Sequence, residues 1–95
     1  MNISIHSNCA VITGNIKSVS DSQKVKESLE PLITREHAII LDIKDSISIT
    51  SSLIGYLTKL VQKDGIDVTI KVGDESLIEL FDDLNLTRLF KVRKA

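Results

Sequence analysis

The sequence predicts a single α/β domain over residues 1–95, built on a mixed and mostly parallel sheet. Three observations carry this expectation. Ala38 to Ile43 is a nearly continuous apolar run, as in a central strand buried on both faces. Leu53, Ile54, Leu57, Leu60 and Val61 then recur at helical spacing and make one apolar stripe. Beyond them Ile66, Val68, Ile70 and Val72 alternate with Asp67, Thr69 and Lys71, the period of a strand with one polar side. A strand, a helix and a second strand in that order form a right-handed crossover that sets two parallel strands side by side.

The remaining elements follow from the N-terminus. Ile3 and Ile5 alternate with Ser4 and His6, and Cys9 to Thr13 resumes as a second strand after a Ser7-Asn8 turn, so the two form an antiparallel hairpin. Gly14-Asn15 closes it and opens a polar loop running to about Ser20. Ser20 or Asp21 is placed to cap a first helix whose stripe is Val25, Leu29, Leu32 and Ile33. Pro31 removes a backbone donor and crowds the preceding turn, so this helix is expected to end near Glu30, with Leu32 and Ile33 in an irregular last turn. Asp64-Gly65 terminates the second helix. Gly73-Asp74 starts a short third helix carrying Leu77, Ile78 and Phe81 inward, and Leu89 to Val92 reads as a last strand. The order is ββαβαβαβ, with no repeat or linker dividing it.

Composition narrows the functions open to such a domain. Apolar residues are 42% of the chain, but with two Phe, one Tyr and no Trp the core must come from Ile, Leu and Val. Twelve Lys or Arg stand against thirteen Asp or Glu, which argues against docking to nucleic acid or an anionic membrane, since both need a basic face. Cys9 is the only cysteine; its neighbours Ala10, Val11 and Ile12 suggest a small buried hydrophobe, and a reducing compartment is the simpler expectation. The N-terminus lacks the basic and apolar regions of a signal peptide, and no apolar run approaches the roughly 20 residues of a membrane span. A cytoplasmic protein is expected.

Catalytic chemistry is poorly represented. His6 and His37 are read onto separate strands without a paired Cys or His, so no metal site is expected. The four glycines stand alone and form no phosphate loop, so no cofactor is expected. Asp82-Asp83 reads as a solvated turn after the third helix.

One segment does carry chemistry. Thr50-Ser51-Ser52 lies where the turn after the central strand meets the second helix. Free N–H groups and the positive end of the helix dipole favour an added phosphate there, although on spacing alone the expected role of one of these hydroxyls is an ordinary N-cap. The run Asp42-Ile43-Lys44-Asp45-Ser46-Ile47-Ser48-Ile49-Thr50-Ser51-Ser52-Leu53, together with the element order, resembles the STAS domain, the sulfate-transporter and anti-sigma-factor-antagonist fold. The resemblance implies helices packed mainly on one face of the sheet and usually a final helix, which, with the sequence stopping at Ala95, is expected to be absent or supplied by a partner. An apolar flank left open in this way makes a homodimer or stable complex plausible.

In antagonist members the serine aligned with Ser51 is offered to a partner kinase. That partner is an anti-sigma factor of the histidine-kinase-like ATPase class, bound by the unmodified form and released on phosphorylation. Thr50 replaces the family's usual Asp and Leu53 its usual Gly, while Lys17 lies in the loop that usually carries another acidic residue. Asp21 is close in sequence to that last position but several residues late.

Around Ser51, the residues Thr50, Ser52, Gly55, Tyr56 and Lys59 form the expected partner surface, with Lys63 on the same face. Gly55 costs up to about 1 kcal/mol relative to Ala in a helix, which fits either a partner's close approach or crowding against the first helix. Tyr56 is expected to face solvent as a binding anchor. The alternative function is a constitutive STAS subunit of a larger assembly, such as a lipid-transport ABC system, without a phosphoswitch.

Overall fold

The computed structural model describes all residues from Met1 to Ala95. Five strands form one sheet in the order β1-β2-β3-β4-β5. They are β1 (Asn2–His6), β2 (Cys9–Thr13), β3 (Ala38–Ile43), β4 (Asp67–Val72) and β5 (Arg93–Lys94), interleaved with α1 (Val19–Ile33), α2 (Ser51–Gln62) and α3 (Glu75–Asp83). β1 and β2 are antiparallel, and the other three pairings are parallel. The element order is the expected one, and the domain is α/β with a mixed sheet. No helix is long and apolar enough to cross a membrane.

Strand alternation assigns the two faces of the sheet. Ala10 and Ile12 on β2, Ile39, Leu41 and Ile43 on β3, and Val68, Ile70 and Val72 on β4 are all buried. They meet Val25, Leu29 and Leu32 of α1, Leu53, Leu57 and Leu60 of α2, and Leu77 and Phe81 of α3 in one cluster of 19 residues. The opposite face carries Cys9, Val11, Ile40, Asp42 and Thr69, which are half-buried, and Lys71, which is exposed. The apolar run Ala38–Ile43 therefore belongs to a strand sealed on one face and half-open on the other. Burial there holds the Cys9 thiol above its ordinary pKa, with the Asp42 carboxylate adding to the effect.

Several local features differ from expectation, each for a visible reason. The cap of α1 is Ser18, two residues before Ser20 and three before Asp21. Its hydroxyl accepts from the Asp21 N–H while the Asp21 carboxylate accepts from the Ser18 N–H, a reciprocal capping box. Bonds from the Lys17 and Ser18 amides hold Asp21 below the usual carboxylate pKa. α1 also continues past Pro31 to Ile33. Pro31 and Glu27, whose carbonyl loses its N–H partner, both lie on the solvent side, while Leu32 is buried. Burying Leu32 and completing the stripe outweighs one hydrogen bond lost to water.

The chain end departs furthest from expectation. Leu89 to Val92 is a tight turn, with Phe90 N–H donating to the Leu86 carbonyl at 3.0 Å and Lys91 at φ 45°. The turn drives Phe90 into the core, where its ring meets Phe81 edge-on at 6.1 Å. Such aromatic pairs add about 0.5–1.5 kcal/mol beyond area burial. The Phe90 carbonyl still accepts from the Ile70 N–H of β4 at 3.0 Å, but the regular ladder covers only Arg93 and Lys94. His37 likewise precedes β3 and lies outside the strands. Gly73 follows β4 where the backbones nearly touch: a Cβ there would fall 2.0 Å from the Lys44 carbonyl oxygen.

Candidate functional site

Two loops leave the C-terminal ends of β2 and β3 and are laced together. The Gly14 N–H donates to the Asp45 carboxylate at 2.7 Å, and the Ile47 N–H donates to the Asn15 side-chain oxygen at 3.0 Å. Deeper in, the Ile16 N–H donates to the hydroxyl of Ser46 at 3.0 Å. Ser46 is fully buried, and its hydroxyl donates in turn to the Ser48 carbonyl at 2.7 Å. The Ser48 hydroxyl closes the circuit onto the Ile16 carbonyl at 3.0 Å. Each buried hydroxyl is satisfied, so the polar sequence Asp45-Ser46-Ile47-Ser48 sets a fixed approach to α2. Ile47 projects from this frame with 59% of its surface exposed.

Thr50 follows in an extended conformation, φ −85° and ψ 153°, and is the N-cap of α2. Its hydroxyl accepts from the Leu53 N–H at 3.2 Å and shares a hydrogen bond with the hydroxyl of Ser22 on α1. Ser22 is fully buried and donates to the Ser18 carbonyl at 3.2 Å. One chain of donors satisfies every group: Leu53 N–H to Thr50, Thr50 O–H to Ser22, Ser22 O–H to Ser18. Thr50, expected among the contact residues, is thus turned inward and committed to holding α1 and α2 together.

Capping by Thr50 leaves Ser51 free. It occupies the first position of α2, is exposed, and its hydroxyl makes no hydrogen bond within the protein. The backbone N–H groups of Ser51 and Ser52 also find no partner, because the Thr50 carbonyl and hydroxyl take up those of Ile54 and Leu53. No acidic side chain lies in this first turn. The hydroxyl of Ser52 accepts from the Lys26 ammonium of α1 at 2.7 Å, which brings a cation beside the free amides. The helix end is electropositive through amides, dipole and ammonium together.

The expected outer surface divides in two. Ser51, Gly55, Lys59 and Lys63 recur every fourth residue as one exposed ridge, with Ser52 beside it. A Cβ at Gly55 would meet nothing within 4 Å, so crowding against α1 does not explain this glycine. Tyr56 belongs elsewhere. It is half-buried in the seam between α1 and α2, with its ring 5.8 Å from the Lys26 ammonium and its hydroxyl donating to Glu30 at 3.3 Å. Burial, and then the Glu30 carboxylate, push its phenol up to about 12. The expectation of a solvent-facing tyrosine fails because α1 packs over that side of α2.

Sequence reasoning did not single out Ile47 or Lys26. Ile47 had a signal, an apolar residue between two serines in a loop and outside any stripe. Lys26 had none, since its reach to Ser52 depends on how α1 crosses α2. No three His, Cys, Asp or Glu side chains converge in a metal-holding group. The Asp82 and Asp83 pair ends α3, where Thr87 donates to Asp82 at 3.4 Å.

No protein-family model and no curated protein matches this chain by sequence. In structure it is similar to the protein TM1081, solved by NMR. The TM-score is 0.67 over 98% of this chain and 79% of that one, at 16% sequence identity. The likeness establishes the fold.

Proposed function

We propose that this chain is a non-enzymatic regulatory binding protein of the STAS type, acting in the cytoplasm. It docks a protein partner through the start and outer ridge of α2, and phosphorylation of Ser51 switches that docking off. The partner by this reading is a serine-kinase anti-sigma factor of the histidine-kinase-like ATPase class. The observation that carries it is the division of labour at the helix start: Thr50 performs the capping, so the exposed Ser51 hydroxyl is free for chemistry. Phosphate on Ser51 adds about −1.5 to −2 charge, which the unpaired amides of Ser51 and Ser52 can hold without refolding the domain. In a docked interface the dianion must also be stripped of its water, and desolvating it costs several kcal/mol.

Gly55 and Ile47 support docking itself. Gly55 leaves open space that a partner's backbone can enter, and Ile47 offers an apolar contact from a rigid loop. These two features serve a permanently bound subunit of a larger assembly equally well, and the inward commitment of Thr50 favours that second reading. Its side chain cannot present the negative charge that its aligned position carries in antagonists. The readings separate in a paired capture from source-cell lysate, with wild type and Ser51→Asp as baits. Capture of a histidine-kinase-like ATPase by wild type and its loss with Ser51→Asp supports the switch. Equal capture of a transporter or another large assembly by both baits overturns it in favour of the constitutive subunit.

A further inference from the structure

The two edges of the sheet are built differently. One edge, β5, is two residues long and both are charged, Arg93 and Lys94. Short length and charge are standard protections against unwanted strand pairing. The other edge, β1, runs for five residues, Asn2-Ile3-Ser4-Ile5-His6, pairs on one side only, and has no residue more than half-buried. It carries no Lys, Arg, Asp, Glu or Pro. All 25 charged residues of the chain, the twelve basic and thirteen acidic, lie between Lys17 and Lys94, so the whole hairpin Met1 to Thr13 is bare of them. A row of unpaired backbone N–H and C=O groups therefore stands in solvent without the usual defences.

We infer that this edge binds a second copy of the same chain, β1 against β1, antiparallel about a two-fold axis at Ser4. The strand is self-complementary. Ile3 and Ile5 face the helix side, since they sit opposite Ile12 and Ala10 of β2, while Asn2, Ser4 and His6 face the open side. Antiparallel pairing centred on Ser4 sets Ile3 opposite Ile5 of the other copy, Asn2 opposite His6, and Ser4 opposite Ser4. Apolar meets apolar on one face and uncharged polar meets uncharged polar on the other, with no like-charge pair anywhere along the strand. A slip of one residue would put isoleucines against the polar face, and a slip of two would leave one end of the strand unpaired.

The same register covers Ile5, which is 38% exposed, on both copies at once. It also brings together the flanks of the two α1 helices. The depression whose lining includes Met1, Val19, Asp21, Lys24 and Glu27 borders this edge, and Val19 within it is 77% exposed. The result is an isologous interface and a continuous ten-stranded sheet with all helices on one side. The α2 ridge stays open in both copies, so the inference stands independently of what docks there.

The test is the mass of the purified full chain by light scattering on a sizing column at high micromolar concentration. Wild type is expected at twice the 10.5 kDa of one chain. Ile5→Lys, at an already part-exposed position, should return the single-chain mass with unchanged circular dichroism, weakening the dimer at least about tenfold. Ser4→Cys in a Cys9→Ala background should form a disulfide-linked dimer under mild oxidation, because the axis sets the two introduced thiols directly opposite one another. Wild type running at 10.5 kDa overturns the inference, and a strand from a different protein is then the occupant to seek. A dimer that Ile5→Lys leaves intact, or that the thiols at position 4 fail to link, places the interface elsewhere and overturns it equally.

Discussion

The hydroxyl of Thr50 hydrogen-bonds the hydroxyl of Ser22, tying the first residue before α2 to the first turn of α1. The same oxygen accepts the Leu53 N–H at 3.2 Å. A single threonine thus fixes both where α2 begins and how it sits against α1, and its neighbour Ser51 has no structural duty.

That division predicts opposite consequences for adjacent substitutions. Thr50→Ala removes the cap and strips the fully buried Ser22 of a partner, and should cost about 1–2 kcal/mol of unfolding free energy. Ser51→Ala, at an exposed position without hydrogen bonds, should fall within about 0.5 kcal/mol of wild type. Urea denaturation of the two variants measures both. A large loss at Ser51 with none at Thr50 would reverse the roles assigned here.

Gly55 gives a prediction in which stability and binding move apart. A methyl group there meets no atom within 4 Å, and alanine is the better helix former by up to about 1 kcal/mol. Gly55→Ala should therefore raise the denaturation midpoint while weakening capture of the partner. If the variant binds as well as wild type, the open space at Gly55 is not where the partner approaches.

Tyr56 predicts a pH dependence with a definite sign. Its phenol titrates at about 12 in the folded chain, above the ordinary value of about 10 that it regains on unfolding. Neutral Tyr56 thus contributes stability that is complete below pH of about 10 and is lost as the pH rises towards about 12. As the chain has one Tyr and no Trp, ultraviolet absorbance follows this group alone. A midpoint near pH 10 in the folded protein would contradict the packing against α1 and Glu30.

Much of the fold was legible because its signals are local. β3, α2 and β4 are set by an apolar run, a helical stripe and a two-residue alternation, and each reads without knowing its neighbours. The start of α1 was misread because Ser18, Ser20 and Asp21 all suit a cap, and only the reciprocal bonds of Ser18 and Asp21 decide between them. The last strand was misread because Phe90 turns in to meet Phe81, a long-range demand that overrides strand preference. At the site, the exposure of Ser51, Gly55 and Lys59 follows from helical spacing alone. Tyr56 and Thr50 differ because α1 covers one flank of α2, and the crossing of two helices is not written in either one.

In the proposed switch a charge at Ser51, and nothing else about that side chain, governs docking. The direct measurement is a binding titration of wild type, Ser51→Ala and Ser51→Asp against the captured partner. Ser51→Ala should match wild type, and Ser51→Asp should bind at least about tenfold more weakly, a difference of about 1.4 kcal/mol. Equal affinity for all three would leave Ser51 a bystander on a permanent interface and would contradict the switch.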